Sequence, residues 1–245
     1  MRWACGLCVL TLAVPLAAHA QSKDTIDTDG PDFVESTEVV GRGRWQFESG
    51  PYLQKDHRNG TSQRTVSTPL LLKFGTSEKF EARLETDGRI WDSGAARAEG
   101  LSDAQRGFGD IAIGFKWHAQ DRDPNRGAPA IAWIAHADLP TGATNVRGLS
   151  IRPSLRSVIG WDLPDDFSLG LMPGIKLDTA ADGHHYVSGI LGFVLGKRWT
   201  ERFRSFVESA AIQIATQKSG GVILYNNVGA AFLITNTWQI GVRAG

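Results

Sequence analysis

The stretch from Gly75 to Gly88 reads GTSEKFEARLETDG and places two unlike faces on one predicted strand. Side chains alternate along a strand, so neighbouring residues point to opposite sides of the sheet. One face carries Phe80, Ala82, Leu84 and Thr86, and the other carries the ionisable row Glu81, Arg83, Glu85, Asp87 and Arg89. In a soluble sandwich the apolar face would pack on a second sheet. In a membrane barrel it would face lipid, and the charged face would line an aqueous lumen.

Segments with the same two-residue period recur on both sides of this strand, and we predict about eleven of them. They are Arg44–Leu53, Arg64–Phe74, Phe80–Trp91, Phe108–His118, Pro129–Leu139, Arg152–Leu163, Phe167–Asp178, His185–Lys197, Phe203–Ile214, Val222–Ile234 and Trp238–Ala244. Segments near ten residues suit a tilted strand that crosses the roughly 30 Å hydrocarbon layer of a bilayer. Strands of soluble proteins are commonly about half as long. The segment lengths therefore favour the barrel.

The connections between these segments alternate in length. The short ones are Gly75–Lys79, Pro164–Asp166, Arg198–Arg202 and Thr235–Thr237. The long ones are Gln54–Gln63, Asp92–Gly107 and Pro140–Ile151, and Thr179–His184 and Ala215–Gly221 are intermediate. Only Ala119–Ala128 is longer than the pattern predicts. Short turns on one rim and longer loops on the other are typical of bacterial outer-membrane barrels, so we predict a periplasmic N-terminus and outward-facing loops.

Aromatic residues gather at the predicted strand ends. The rim with the short turns carries Trp45, Phe74, Phe80, Trp117, Trp161, Phe167, Trp199, Phe232 and Trp238. The opposite rim carries Tyr52, Trp91, Phe108 and Tyr186, and Trp133 is an exception in the middle of its strand. Aromatic rings collect at both water interfaces of a bilayer, whereas a soluble core would place them in mid-strand. We therefore predict an antiparallel up-and-down transmembrane β-barrel at residues 44–245, in the bacterial outer membrane.

The N-terminal part of the chain has a different composition. Residues 1–20 read as a signal peptide, with Arg2 before an apolar run and a small-residue cleavage site before Gln21. Both cysteines of the chain, Cys5 and Cys8, lie within it, so a disulfide framework or thiolate metal site is not expected in the mature protein. Residues 21–43 are polar and aperiodic, and we predict a periplasmic segment that is either a mobile tail or a docked plug. Lysine and arginine total 26, as do aspartate and glutamate. The chain therefore lacks the excess of basic residues that would indicate nucleic-acid binding.

Ionisable residues on the inward faces are the candidates for function. The predicted lumen-lining residues are Glu81, Arg83, Glu85, Asp87, Arg89, Asp110, Lys116, His118, Arg152 and Arg156. They would either set the electrostatics of a solute path or form a salt-bridge lattice that fills the lumen, and the two roles are compatible. A barrel of about twelve strands falls between the filled eight-stranded barrels and the open porins.

Other constellations give weaker signals. Asp121–Asn125 begins like a calcium loop, but Arg126 and Ala132 occupy the positions that need glycine and glutamate. His184 and His185 would face opposite ways on a strand, with no third ligand in view. A barrel hydrolase with a serine and a histidine is a remote alternative without the usual glycine-flanked serine turn. We predict no enzyme activity, no cofactor and no metal.

At residues 28–50 the sequence TDGPDFVESTEVVGRGRWQFESG resembles the opening of the outer-membrane family called MetA-pathway of phenol degradation, whose members are labelled transporters. Shorter similarities occur at residues 67–72, 83–86, 107–110 and 139–142. The resemblance implies a barrel that lets small molecules pass passively, with hydrophobic or aromatic compounds such as phenolics as its solutes. Bilayer lipids would be its partners. The alternative is a structural or adhesive barrel with a plugged lumen.

The number of strands leaves one question open. The resemblance implies a further closing strand that ends in an aromatic residue, and single-chain bacterial barrels have even strand numbers. The count of about eleven therefore predicts that one closing strand is missing from about twelve. The alternative is that one predicted segment is not a strand, the weakest pattern being Phe203–Ile214.

Overall fold

The structure, a computed structural model, describes residues 5–7, 11–12, 25–58, 61–94, 106–180, 182–214 and 221–245. All regular elements in these ranges are β-strands, and none of the described residues form a helix that could cross a membrane. The strands are β1 Cys5–Leu7, β2 Thr11–Leu12, β3 Trp45–Ser49, β4 Tyr52–Arg58, β5 Thr61–Ser67, β6 Leu70–Gly75, β7 Phe80–Thr86, β8 Arg89–Gly94, β9 Arg106–Phe108, β10 Ile111–Gln120, β11 Ala130–Leu139, β12 Arg152–Leu163, β13 Phe167–Thr179, β14 His185–Arg198, β15 Phe203–Ile212, β16 Ile223–Thr235 and β17 Trp238–Ala244. The predicted all-β fold is confirmed.

Every strand pairs with its neighbours in the antiparallel sense. The large sheet has the order β2-β17-β16-β15-β14-β13-β12-β11-β10-β7-β6-β3, so strands adjacent in sequence are mostly adjacent in space. A second sheet, β1-β4-β5-β8-β9, continues its β3, β6, β7 and β10 edge beyond short breaks. The confirmed topology is therefore an up-and-down meander.

The short breaks have a cause in the sequence. They fall at Gly50–Pro51, Thr68–Pro69, Asp87–Gly88 and Gly109–Asp110. Proline cannot donate to a strand ladder, and Gly88 has a φ of 64°, a left-handed conformation that interrupts an extended strand. The two strands that flank a break together form one pass. Counted in this way, the chain from Trp45 makes the eleven passes that the sequence predicts. The segment with the weakest pattern is among them, as β15.

The alternation of faces is visible along β7 and β10. Leu84 and Phe115 are 45% and 50% exposed, whereas Glu81 and Lys116 are 1% and 0% exposed. The apolar row therefore points away from the molecule and the charged row points into it. This is the reverse of a soluble sandwich, where the apolar rows would meet between two sheets. The buried apolar cluster is small and lies on the inward side, where Val34 packs with Ile134 and Met172.

The two ends of the large sheet meet the N-terminal stretch of the chain. β2 pairs with β17, with Thr11 opposite Gly241, and β1 pairs with β4, with Gly6 opposite Gln54. Within the described residues β3 and β17 do not pair with each other, so the sheet is open there except for these short strands. Of the stretch predicted as a signal peptide, the structure describes residues 5–7 and 11–12, and these lie beside β4 and β17.

Candidate functional site

Residues 25–40, which we call the inner segment, run along the inward face of the sheet. Thr28, Asp29, Val34 and Thr37 of this segment are buried. Hydrogen bonds and ion pairs join it to β3, β6, β7, β10, β12, β15 and β17. These strands are spread from one end of the large sheet to the other. The sheet therefore curves around the inner segment and encloses it.

The carboxylate of Asp29 is bound by three cations on three strands. Lys73 Nζ of β6 lies 3.0 Å and Arg83 Nη1 of β7 lies 2.8 Å from Oδ2, and Lys116 Nζ of β10 lies 2.5 Å from Oδ1. The backbone N–H of Ser36 donates to Oδ1 at 3.0 Å. The three cationic side chains are at most 1% exposed. Charges buried this deeply are tolerated only when they are paired and hydrogen-bonded, so Asp29 and its partners depend on one another.

Further carboxylates complete this group, which we call the Asp29 cluster. Its other ion pairs join Lys73 to Glu48, Arg83 to Glu35, Glu81 and Glu85, and Arg156 to Glu35, all at 2.7–3.0 Å. The backbone N–H groups of Asp29 and Gly30 donate to the Glu48 carboxylate, and Val40 N–H donates to Glu81. The structure thus brings the predicted lumen residues Glu81, Arg83, Glu85, Lys116 and Arg156 into one network.

Three more predicted lumen residues lie towards the long connections. Arg152 Nη2 is 2.8 Å from Asp110 Oδ2, and Asp110 also accepts the N–H groups of Gly142 and Gly148. Asp87 lines the same cavity as these residues. They form a rim above the Asp29 cluster.

Arg89 lies apart from the other predicted lumen residues. Its guanidinium is 5.2 Å from the Trp91 ring and 5.9 Å from the Phe108 ring. Phe108 is 63% exposed. The conformation of Gly88 interrupts the alternation of faces, so Arg89 does not continue the row of Glu81, and it stacks on rings instead.

His118 fixes the far end of the inner segment. Its Nδ1 lies 2.8 Å from the carbonyl oxygen of Thr37, and its Nε2 lies 2.8 Å from Asp121 Oδ1. Arg122, which follows in the connection after β10, contacts both Glu38 and Asp162. The unexpected length of the Ala119–Ala128 connection therefore has a structural use, since it reaches the inner segment.

β13 and β14 hold the inner segment by close packing, and β15 holds it by polar contacts. A Cβ atom on Gly192 would lie 2.8 Å from Val34 Cγ2 and 3.1 Å from Phe33 Cδ1, and one on Gly170 would lie 3.1 Å from Val34 Cγ1. These glycines form the hollow that receives Val34. Phe33 N–H donates to Glu208 at 2.6 Å.

The pKa values of two aspartates in the inner segment, Asp29 and Asp32, are shifted in opposite directions. Burial raises the pKa of Asp29, but the charges of Lys116, Lys73 and Arg83 outweigh it and hold the pKa well below its ordinary value. Burial also raises the pKa of Asp32, and Arg204 at 2.8 Å offsets only part of this, so the pKa stays above its ordinary value. Asp29 is therefore held as a carboxylate, whereas ionised Asp32 carries a cost.

Two cavities flank the inner segment, and Asp32 and Glu35 line both. One has a volume of about 480 Å³ and reaches the short turns near Asp166 and Arg202. The other has a volume of about 680 Å³ and reaches the rim at Asp110. The inner segment thus separates a cavity on the short-turn side from a cavity on the long-loop side.

The predicted aromatic belt lies near the short turns. Trp45, Phe80, Trp117, Phe167, Trp199 and Phe232 are exposed, and Phe74, Trp161 and Trp238 are partly exposed. Phe80 and Trp117 stack at 5.9 Å, and Trp45 and Phe74 lie 4.4 Å apart. Trp133 is paired with Trp117 across β10 and β11, so the register brings it level with this belt although it lies within its strand.

The profile of the family described as MetA-pathway of phenol degradation matches residues 28–245. The chain belongs to this family. The match includes every strand from β3 to β17 and residues 28–40 of the inner segment, Asp29 among them. None of the curated proteins compared with the chain matches it.

Several residues of the site in this family member were not among the sequence candidates. Asp29, Lys73, Glu48 and Glu208 had no pattern that singled them out, because each pairs with residues far away along the chain. A lysine in the otherwise apolar run at Leu70–Phe74 was the one available signal. No group of three or more metal-ligating side chains occurs in the part of the chain that the structure describes.

Proposed function

We propose that this member of the phenol-degradation family is an outer-membrane barrel that lets small molecules pass, with the inner segment as its plug. The observation that carries the proposal is the pair of cavities on opposite sides of a segment held by side-chain contacts. A path through the barrel exists once the inner segment moves, because the two cavities already share Asp32 and Glu35 in their linings.

A membrane location is supported by the outward face of the sheet. Ile113, Phe115, Leu191 and Leu224 are between 46% and 63% exposed. Large contiguous apolar surfaces are unusual on proteins that face only water, but a bilayer-spanning barrel requires them. The exposed tryptophans near the short turns match the aromatic girdle of such barrels. We therefore propose lipids as the partner of this face and the outer membrane as the location.

The solutes that we propose are small aromatic compounds, because the family description names phenol degradation. The larger cavity has a volume of about 680 Å³, which is within the usual range for small-molecule sites. Movement would be passive and would follow the concentration gradient of the solute. We propose no catalytic role for the barrel.

The second candidate is a structural barrel that stays plugged. The buried ion pairs of the Asp29 cluster favour it, because removing one partner from such a network is costly. The two candidates differ in one respect, namely whether the inner segment ever leaves the lumen.

A reversible crosslink separates the two candidates. A Cβ atom on Gly192 of β14 would lie 2.8 Å from Val34 Cγ2 of the inner segment, so cysteines at both positions lie within reach of a disulfide. We expect planar-bilayer recordings of the Val34→Cys/Gly192→Cys double variant to show no step currents when oxidised and step currents after reduction. Each single cysteine variant is the control, and neither should respond to reductant. Silence of the reduced variant and of the wild type would support the structural barrel. Heat-modifiable gel mobility and membrane fractionation first establish that each protein is a folded barrel.

A further inference from the structure

The Asp29 cluster has the composition of an anion site that is filled by the protein's own side chain. The side chain of Asp29 is chemically an acetate group, and it accepts from Lys73, Arg83 and Lys116 at 2.5–3.0 Å. All three cations belong to the wall of the barrel, whereas the carboxylate belongs to the inner segment. Departure of the inner segment would therefore leave the cations in place and remove their shared partner.

The balance of charge changes when the inner segment leaves. With the segment in place, the cations Lys73, Arg83, Lys116 and Arg156 face the carboxylates Asp29, Glu35, Glu48, Glu81 and Glu85. Asp29 and Glu35 belong to the inner segment, so without it four cations face three carboxylates. The wall then has an excess of positive charge, which attracts an anion.

A solute reaches this place from the long-loop side. Asp29, Glu35 and Arg83 line the cavity of about 680 Å³ that leads to the rim. Arg152 and Arg156 lie four residues apart on the inward face of β12 and line the same cavity. The carboxylates Asp110 and Asp138 at the rim are themselves paired with Arg152 and Lys176. The carboxylates Asp87 and Asp178 line this cavity as well, and the guanidinium groups of Arg152 at the rim and of Arg156 and Arg83 in the Asp29 cluster are the contacts available to an anion.

We infer that Lys73, Arg83 and Lys116 form a binding site for a small organic carboxylate, which replaces Asp29 and so releases the inner segment. This inference rests on the proposed function and names the ligand class that opens the path. A carboxylate supplies the two charged oxygens that the three cations bind now, whereas an uncharged alcohol or phenol does not. The ligand shifts the equilibrium because it binds the released state and is excluded from the docked state by Asp29.

Recordings of the full chain in planar bilayers test the inference with benzoate as the probe and benzyl alcohol as its uncharged counterpart. Ionic strength is held constant with chloride. We expect benzoate to raise the open probability roughly tenfold, within the usual range of coupling between two sites. Acetate should act in the same direction, since it is the Asp29 side chain in free form. Benzyl alcohol at the same concentration should have no effect.

Two variants connect the response to the site. In Asp29→Asn the open probability should be high without benzoate and should no longer rise with it, because the competing carboxylate is gone. In Lys116→Gln the benzoate response should weaken or disappear. Asp166→Asn is the matched control, because it removes a carboxylate from an arginine pair in an exposed turn, and its benzoate response should equal that of the wild type.

A second measurement does not depend on conductance or on the folding of a variant. Hydrogen–deuterium exchange of residues 25–40 in the wild-type chain should increase with benzoate and stay unchanged with benzyl alcohol. Equal effects of the two compounds, or no effect of benzoate on exchange, would overturn the carboxylate site. If the carboxylate site is overturned in this way but Asp29→Asn still conducts, the proposed passage of small molecules is retained. If exchange increases with benzoate while no variant conducts, the carboxylate site stands and the proposed passage fails.

Discussion

The inner segment is held by two walls of opposite character. The wall of β3, β6, β7 and β10, which we call the charged wall, binds it through Asp29 and the surrounding ion pairs. The wall of β13 and β14, which we call the packed wall, binds it through Phe33 and Val34 against glycines. Next to the packed wall, β15 adds the ion pair of Arg204 with Asp32. Of the two walls, only the charged wall offers contacts that another molecule of the right charge could replace.

The difference between the two walls indicates which contacts of the inner segment a solute could displace. Packing contacts are short-ranged, and the contacts of Val34 in the hollow at Gly192 and Gly170 carry no charge that a small ion could replace. A buried ion network is different, because each charge requires a partner and the removal of one partner affects all. We therefore expect chemical signals to act on the charged wall and steric changes to act on the packed wall.

The largest effect should follow Asp29→Asn. The substitution keeps the shape of the side chain and removes the charge that Lys73, Arg83 and Lys116 share. Removing one partner of a buried pair costs about 3–5 kcal/mol, so the inner segment should lose most of its docking free energy. Hydrogen–deuterium exchange of residues 25–40 measures this loss. Protection equal to that of the wild type would mean that the packed wall alone holds the segment.

Acid should act on the two aspartates in opposite directions. The pKa of Asp29 is depressed, so its stabilising effect is present above the unfolded value of 3.8 and is lost as the pH falls through the lower folded value. The pKa of Asp32 is raised, so its contribution is present below the unfolded value and is lost as the pH rises through the higher folded value.

Protection of residues 25–40, corrected for the intrinsic rate of exchange, should therefore rise slightly as the pH falls towards about 4 and drop at lower pH. Asp27 shares the raised pKa of Asp32, and Glu35 shares the lowered pKa of Asp29. Asp29→Asn should therefore weaken the drop, and Asp32→Asn should weaken the earlier rise. A steady fall in protection from neutral pH in the wild type would contradict both signs.

Gly192→Val should disturb the packed wall. Its Cβ would lie 2.8 Å from Val34 Cγ2, and the added methyl groups increase the overlap. Overpacking of this kind typically costs about 1–3 kcal/mol, less than the loss expected at the charged wall. Open probability and exchange of residues 25–40 should both increase, while the benzoate response persists because the cations are intact. Leu191→Val, on the outward side of the same strand, is the control and should leave the segment docked.

Asp166→Asn should have the smallest effect. Asp166 pairs with Arg198 at 2.8 Å, a distance equal to that between Arg83 and Asp29, but both partners are largely exposed to water. Exposed ion pairs contribute little, because water and salt screen them. Thermal stability and protection of residues 25–40 should match the wild type. A marked loss would show that distance, rather than burial, determines the strength of the pairs in the comparison.

The sequence was informative wherever a face could be derived from position alone. Glu81 and Arg83 share a face by alternation, and the structure turns both inwards. Arg89 departs from this row because Gly88 adopts a left-handed conformation. A prediction from the two-residue strand period assumes an uninterrupted strand and so misses this change. Trp133 was placed in mid-strand, yet the pairing register sets it beside Trp117. Register depends on the partner strand, so single-strand patterns did not contain this information.

By itself the sequence determined an antiparallel all-β meander with apolar and charged faces, because strand periodicity is a local property that each segment carries on its own. The tertiary structure decided that the inner segment lies on the inward face of the sheet and that Asp29 meets Lys73, Arg83 and Lys116. These partners are 44, 54 and 87 residues away from Asp29 along the chain. Strand pairing gathers the three cations, because Lys73 lies opposite Arg83 and Lys116 lies opposite Glu81 on the adjacent strands β6, β7 and β10. The inner segment then runs over this face and brings Asp29 to them.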